Sequence, residues 1–185
     1  MRRIIIGQVL LIICCAFYLI WWYRGYRPGV SASPIGGING LLLFITMAFG
    51  ISGVIFSLMP VPEVSEPKIY PVSVIGAGIG SYIALLWVTK FLLHRIVTAE
   101  LFLIVAWTVL ELFVINRLCA GGFLSDNGFM ILCTVIVAAF VISMILYIAY
   151  YRMEEMKAFY AAMVPLVTEA AAMAALIGVV NNSAR

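Results

Sequence analysis

Residues 158–180 read AFYAAMVPLVTEAAAMAALIGVV, an apolar, small-residue-rich run with one carboxylate, Glu169, at its centre. At 1.5 Å per residue a helix of that length extends about 35 Å, enough to cross the roughly 30 Å hydrocarbon core of a bilayer. Glu169 would then lie near the midplane. A charged side chain there costs about 2.5–3.5 kcal/mol on insertion scales, and glutamate is too short to snorkel to the surface. It must face other helices or water, and either find donors or carry a proton.

The rest of the chain agrees with a membrane reading. Of its 185 residues, 65% are hydrophobic and only 10% charged, with a mean hydropathy of +1.17. Soluble domains carry about 25% charged residues, so this chain cannot cover a surface with polar groups. The net charge of +3 comes from residues between apolar runs, which bears on membrane topology and not on nucleic-acid binding. Six runs are long enough to span: 4–22, 38–59, 72–93, 99–115, 129–151 and 158–180. In lipid, backbone groups must be satisfied within a segment, which makes these runs helices. The ten-residue alternation of a membrane β-barrel is absent. The expected fold is an all-α integral membrane protein, a compact single-domain bundle of about six transmembrane helices over residues 1–185.

The breaks carry turn chemistry. YRGYRPGVSASPIGG, MPVPEVSEPKIYP and NRLCAGGFLSDNG are rich in Pro and Gly. Thr98 suits an N-cap, with Glu100 in the first turn of the fourth helix. YYRMEEMK lacks Gly and Pro, and is a turn only because its flanking runs are too long for one span. MRRIIIGQVLLIICCAFYLIWW reads as a retained span, because its apolar part exceeds an ordinary signal-peptide core and no small-residue cleavage site follows.

Six spans place both termini on one side, with Arg2, Arg3, Lys68, Arg117 and Arg185. Arg24, Arg27, Lys90, Arg95, Arg152 and Lys157 fall on the other. The positive-inside rule barely separates the two sets. The N-terminal Met-Arg-Arg favours cytoplasmic termini in a plasma membrane. Aromatic residues gather toward the second side, as an interfacial belt does.

Several residues are candidates for chemistry. On the sixth helix Ala162, Pro165, Glu169 and Ala172 share a face, and Pro165 is expected to kink the helix beside the acid. Glu111 is a second intramembrane acid, with Thr108 one turn before it and Glu100 three turns before it. Glu169, Glu111 and Thr108 together are expected to line a polar cavity between the fourth and sixth helices, binding a solute or a proton. Gly76 and Gly80 form a small-xxx-small pair on the third helix, suited to packing or hinging. Arg24 and Arg27 beside Trp21 and Trp22 form an interfacial anchor, or a basic-aromatic lip for an anionic group.

Other chemistries lack their residues. The single histidine, His94, lies near a helix end, which argues against a haem or a His-ligated metal. H-E-x-x-H, G-x-S-x-G and phosphate-loop motifs are missing, and no nucleophile–base pair marks a catalytic centre. The four cysteines form no C-x-x-C and read as small apolar side chains. No cofactor is expected. The expected partners are membrane lipids, a small solute, and other membrane subunits or a second copy of the chain.

In size and span count the chain resembles the substrate-capturing membrane subunits of energy-coupling-factor vitamin importers. Those carry a small-residue stripe on their first helix, where this chain has only Gly7, Cys14, Cys15 and Ala16. The resemblance implies transport. The leading expectation is therefore a small transporter or a substrate-binding subunit of a transport system. A non-catalytic assembly or lipid-interaction protein stands second, and a lipid-acting enzyme third.

Overall fold

The computed structural model describes residues 1–29, 33–92, 94, 99–150 and 152–183. The expected cap at Thr98, the aromatic Tyr151, and the charges Arg95 and Arg185 lie outside them. Among the described residues the chain is helical throughout, with no strand. The helices are α1 (Arg2–Tyr26), α2 (Ile38–Ser57), α3 (Pro71–Trp87), α4 (Ala99–Ala120), α5 (Asp126–Tyr150), α6 (Glu155–Ala161) and α7 (Val164–Ser183). A π-helical turn, Val88–Leu92, continues α3. With α3 extended by that turn and α6 and α7 taken as one segment, six stretches are long and apolar enough to cross a membrane.

Local chemistry sets the ends. Pro71 opens α3 at the first helical position, where its missing N–H costs nothing. The fourth helix runs to Ala120, five residues past the apolar run that suggested it. Asn116 and Arg117 are polar but compatible with a helix. The stop comes from Gly122, whose φ of +72° closes a Schellman motif. In it Phe123 N–H donates to Leu118 O at 2.9 Å and Gly122 N–H to Cys119 O at 3.0 Å. Ser125 then caps α5, its hydroxyl accepting from Gly128 N–H at 3.2 Å.

The sixth segment differs from expectation. It is not one helix kinked at Pro165; it is interrupted at Ala162 and Met163. Met163 N–H donates to Tyr160 O at 3.0 Å, a tightened turn. Pro165 occupies the first turn of α7, where proline is tolerated.

Helices α1, α4, α5 and α7 share one core, built around Ile4, Val114, Leu118, Leu132, Met173 and Leu176. The fourth helix is the most buried of the six stretches. α2 packs on α1 and α3 packs on α4. Glycines set the first contact. A Cβ on Gly7 would sit 2.6 Å from Ser57 N, and one on Gly53 would sit 2.7 Å from Leu11 Cγ. The backbones of α1 and α2 thus cross at near-minimum separation, as small residues permit.

On α3 the glycine reading needs correction. Among the described residues Gly76 and Gly80 have no neighbour within 4 Å of an added Cβ. The packing glycine is Gly78, whose added Cβ would collide with the Val109 side chain of α4. A spacing of four marks one face but not which face meets a neighbour. The small residues of α7 behave alike. Ala171, Ala174, Ala175 and Gly178 point outward, while Met173, Leu176 and Val180 fill the core.

The loop between α2 and α3 straps the termini-side end of the bundle. Asn116 Nδ2 donates to Ile69 O at 2.6 Å and its Oδ1 accepts from Ile69 N–H at 3.0 Å. Arg117 donates to Leu58 O at 2.8 Å. Ala120 O accepts from Val64 N–H and Ser65 N–H at 2.9 and 3.0 Å. Lys68 meets Asp126 at 3.1 Å, an exposed pair of small energetic weight.

Candidate functional site

A cleft of about 1040 Å³ lies between the α1–α2 pair and the α3–α4 pair, with α7 as its floor. α7 contributes Pro165, Leu166, Glu169 and Met173 to the wall, and Ala162 joins them from the break before it. The face carrying the central carboxylate therefore does turn inward, because Glu169 falls on the same side as the core residues Met173 and Leu176. Glu169 is 7% exposed. Among the described residues its carboxyl has no hydrogen bond or ion pair.

The walls are almost wholly apolar. Leu11, Gly50, Val54 and Leu110 are typical of them. The ionisable exceptions besides Glu169 are the thiols of Cys14 and Cys15, the phenols of Tyr18, Tyr147 and Tyr150, and Glu100, which is exposed at the start of α4. Two indoles also face the cleft. The Nε1–H groups of Trp22 and Trp107 are buried and meet no acceptor among the described residues. An unmet buried donor costs about 1–3 kcal/mol, so each of these is a place for a partner. Ile51, Ile55, Ile75 and Leu103 line the cleft and are also exposed on the outside of the bundle. The cleft thus opens sideways, between α2 and α3.

Glu111 occupies a different place. It is fully buried on α4 and does not line the cleft. Gln8 of α1 lies beside it. Gln8 Nε2 donates to Ser57 Oγ at 3.3 Å, so its amide is directed toward α2. Among the described residues Gln8 Oε1 and both carboxyl oxygens of Glu111 are left without a hydrogen-bond partner. Acceptors side by side need a hydrogen between them, supplied by turning the amide over or by a proton on the acid. The two acids feel one another electrostatically, and Cys15 lies within range of both. They are neighbours in separate compartments, not two walls of one cavity.

Thr108 also stays out of the cleft. Its hydroxyl donates back to Ile104 O at 2.9 Å, the intrahelical bond open to threonine in apolar surroundings. Arg117, the nearest interfacial cation in sequence to Glu111, turns to Leu58 O instead.

The basic-aromatic lip does not converge. Trp21 is buried and donates from Nε1 to Pro34 O at 2.8 Å, and Arg24 donates to Asn39 Oδ1 at 3.4 Å. Both fasten α1 to the start of α2. Arg27 folds back on Tyr23, donating to its hydroxyl at 2.8 Å and lying 5.2 Å from its ring centroid. Trp22 alone reaches the cleft, stacked on Tyr26 with ring centroids 4.5 Å apart.

Sequence reading missed three cleft residues that matter. Trp107 was hidden among apolar neighbours, Cys15 looked like packing, and Tyr18 belonged to an aromatic cluster. The signal for Trp107 lies in its spacing: it precedes Glu111 by four residues, one turn along α4. The class of molecule is thus an all-helical bundle with six helices of membrane-spanning length and an acid-bearing lateral cleft. No known protein family, curated protein or solved structure matches this chain.

Proposed function

We propose that the chain is an integral membrane protein, its six apolar stretches crossing a plasma membrane with the termini on the cytoplasmic side. Within it the cleft binds a small solute, as a transporter or as the substrate-binding subunit of a transport system. One observation carries this reading: Glu169, a carboxyl more than nine-tenths buried and without a partner among the described residues, opens onto a cleft large enough for a small molecule. A membrane acid of this kind is costly, and a ligand or a proton is what offsets the cost. Glu111 is assigned a structural part, since it is sealed against Gln8 and away from the cleft.

A thermal-shift screen of the purified protein tests this, run against amino acids, polyamines, nucleosides and lipids across pH, with hits carried into proteoliposome uptake. We expect a saturable shift and uptake in the wild type, both lost in Glu169→Gln and kept in Glu111→Gln. A folded, monodisperse Glu169→Gln protein that retains shift and uptake contradicts the reading.

A second reading, a non-catalytic assembly subunit, draws on the small residues that face outward. Among the described residues Gly76 and Gly80 on α3 have no neighbour within 4 Å of an added Cβ, and Ala171, Ala174 and Ala175 on α7 are exposed. Small outward faces let helices of another subunit approach closely. A monodisperse monomer in lipid nanodiscs contradicts it.

A further inference from the structure

We infer that the cleft takes a lipophilic cation, a protonated amine on an apolar body, which enters sideways from the bilayer between α2 and α3. The inference rests on the ligand-binding reading above and names the chemical class of the ligand.

The argument begins with what the cleft cannot hold. A strongly hydrated solute would lose its water against leucine, isoleucine and valine walls without recovering the hydrogen bonds. An anion would meet Glu169 at depth and Glu100 at the mouth, and among the described residues no lysine or arginine lines the cleft to oppose them. A neutral hydrocarbon chain would fit the walls but leave Glu169 unpaired.

A hydrophobic ammonium meets all three conditions. Its N–H groups donate to the Glu169 carboxylate, a charge-assisted bond in a water-poor setting where a buried charge requires a partner. Its apolar body replaces lipid against the walls. Trp107 and Tyr18 bring aromatic rings into the same cleft, suited to the region around a cation. The route follows from the same residues. Ile51, Ile55, Ile75 and Leu103 are at once cleft lining and outer surface, so a molecule already dissolved in lipid reaches Glu169 without crossing a polar surface.

The test is a charge series on one skeleton: 4-phenylbutylamine, 4-phenylbutanol and 4-phenylbutyrate. Binding is read from tryptophan fluorescence of the protein in lipid nanodiscs, with empty nanodiscs correcting for partition. Trp22 and Trp107 are the reporters in the cleft. We expect the amine to bind at least about tenfold tighter than the alcohol, and the acid to bind weakest. Glu169→Gln brings the amine down to the alcohol, and Glu111→Gln, outside the cleft, leaves the preference in place.

Equal binding of amine and alcohol to the wild type overturns the inference, as does a preference lost in Glu111→Gln but kept in Glu169→Gln. The wild-type series stands even where a variant does not fold. A second variant, Ala162→Trp, fills the cleft and is expected to reduce binding of all three probes. Failures remain distinguishable. Charge-blind binding overturns the amine assignment while Glu169-dependent uptake of another solute survives. Charge-selective binding without uptake of the amine overturns transport and keeps the ligand class.

Discussion

The termini-side half of the bundle and its other half treat the same problem in opposite ways. On the termini side α1 and α2 cross at Gly7 and Gly53, Gln8 and Ser57 join at the crossing, and the loop between α2 and α3 is tied to Asn116, Arg117 and Ala120. Glu111 is fully buried, with Gln8 beside it. Toward the other half, α2 and α3 part, the wall becomes apolar and aromatic, and Glu169 faces open space. Two buried acids thus have different surroundings. The closed half turns its acid into part of the packing. The open half leaves its acid to be met by something else.

The largest effect is expected where the closed half is tightest. Gly7→Leu drives a side chain into the Ser57 backbone, which cannot move aside as a flexible side chain does. Overpacking of this kind costs about 1–3 kcal/mol or more. The variant is expected to lose the cooperative thermal transition, followed by fluorescence in detergent. A Gly7→Leu protein with a wild-type midpoint would mean that α1 and α2 do not cross there.

A smaller effect, of opposite sign, separates the acids. Glu111→Gln gives the buried site an amide donor for Gln8 Oε1 or for its own neighbours. Stability is expected to rise by about 1 kcal/mol, with ligand binding unchanged. A loss of ligand binding in this variant would merge the compartments and break the comparison.

The smallest effect comes from the outer face. Gly76→Ala on α3 adds a methyl where nothing stands within 4 Å and removes a helix glycine, for an expected gain of about 0.5–1 kcal/mol. Destabilisation there, read in the same melt, would show that another subunit packs on α3.

Much of the architecture is legible in the sequence because it rests on length and hydropathy. Six apolar runs separated by Pro- and Gly-rich breaks give six helices of spanning length, and an acid in an apolar helix turns inward. The ends were less legible. The α4 terminus depends on the positive φ of Gly122, not on where the apolar run fades at Asn116. Facing was the least legible part. Gly76 and Gly80 satisfy a packing motif that Gly78 actually serves, since spacing along one helix does not contain the position of the next. The pairing of Glu111 with Glu169 in one cavity failed for the same reason. Both are buried acids, but Glu169 lines the cleft while Glu111 lies outside it beside Gln8.

The most direct measurement is carboxyl labelling from within the bilayer. A lipophilic carbodiimide reaches acids open to lipid or to the cleft and leaves a stable N-acylurea, located by peptide mass spectrometry. The account predicts a label on Glu169, suppressed by 4-phenylbutylamine, and none on Glu111 of the folded protein. Labelling of Glu111 with Glu169 protected would contradict it.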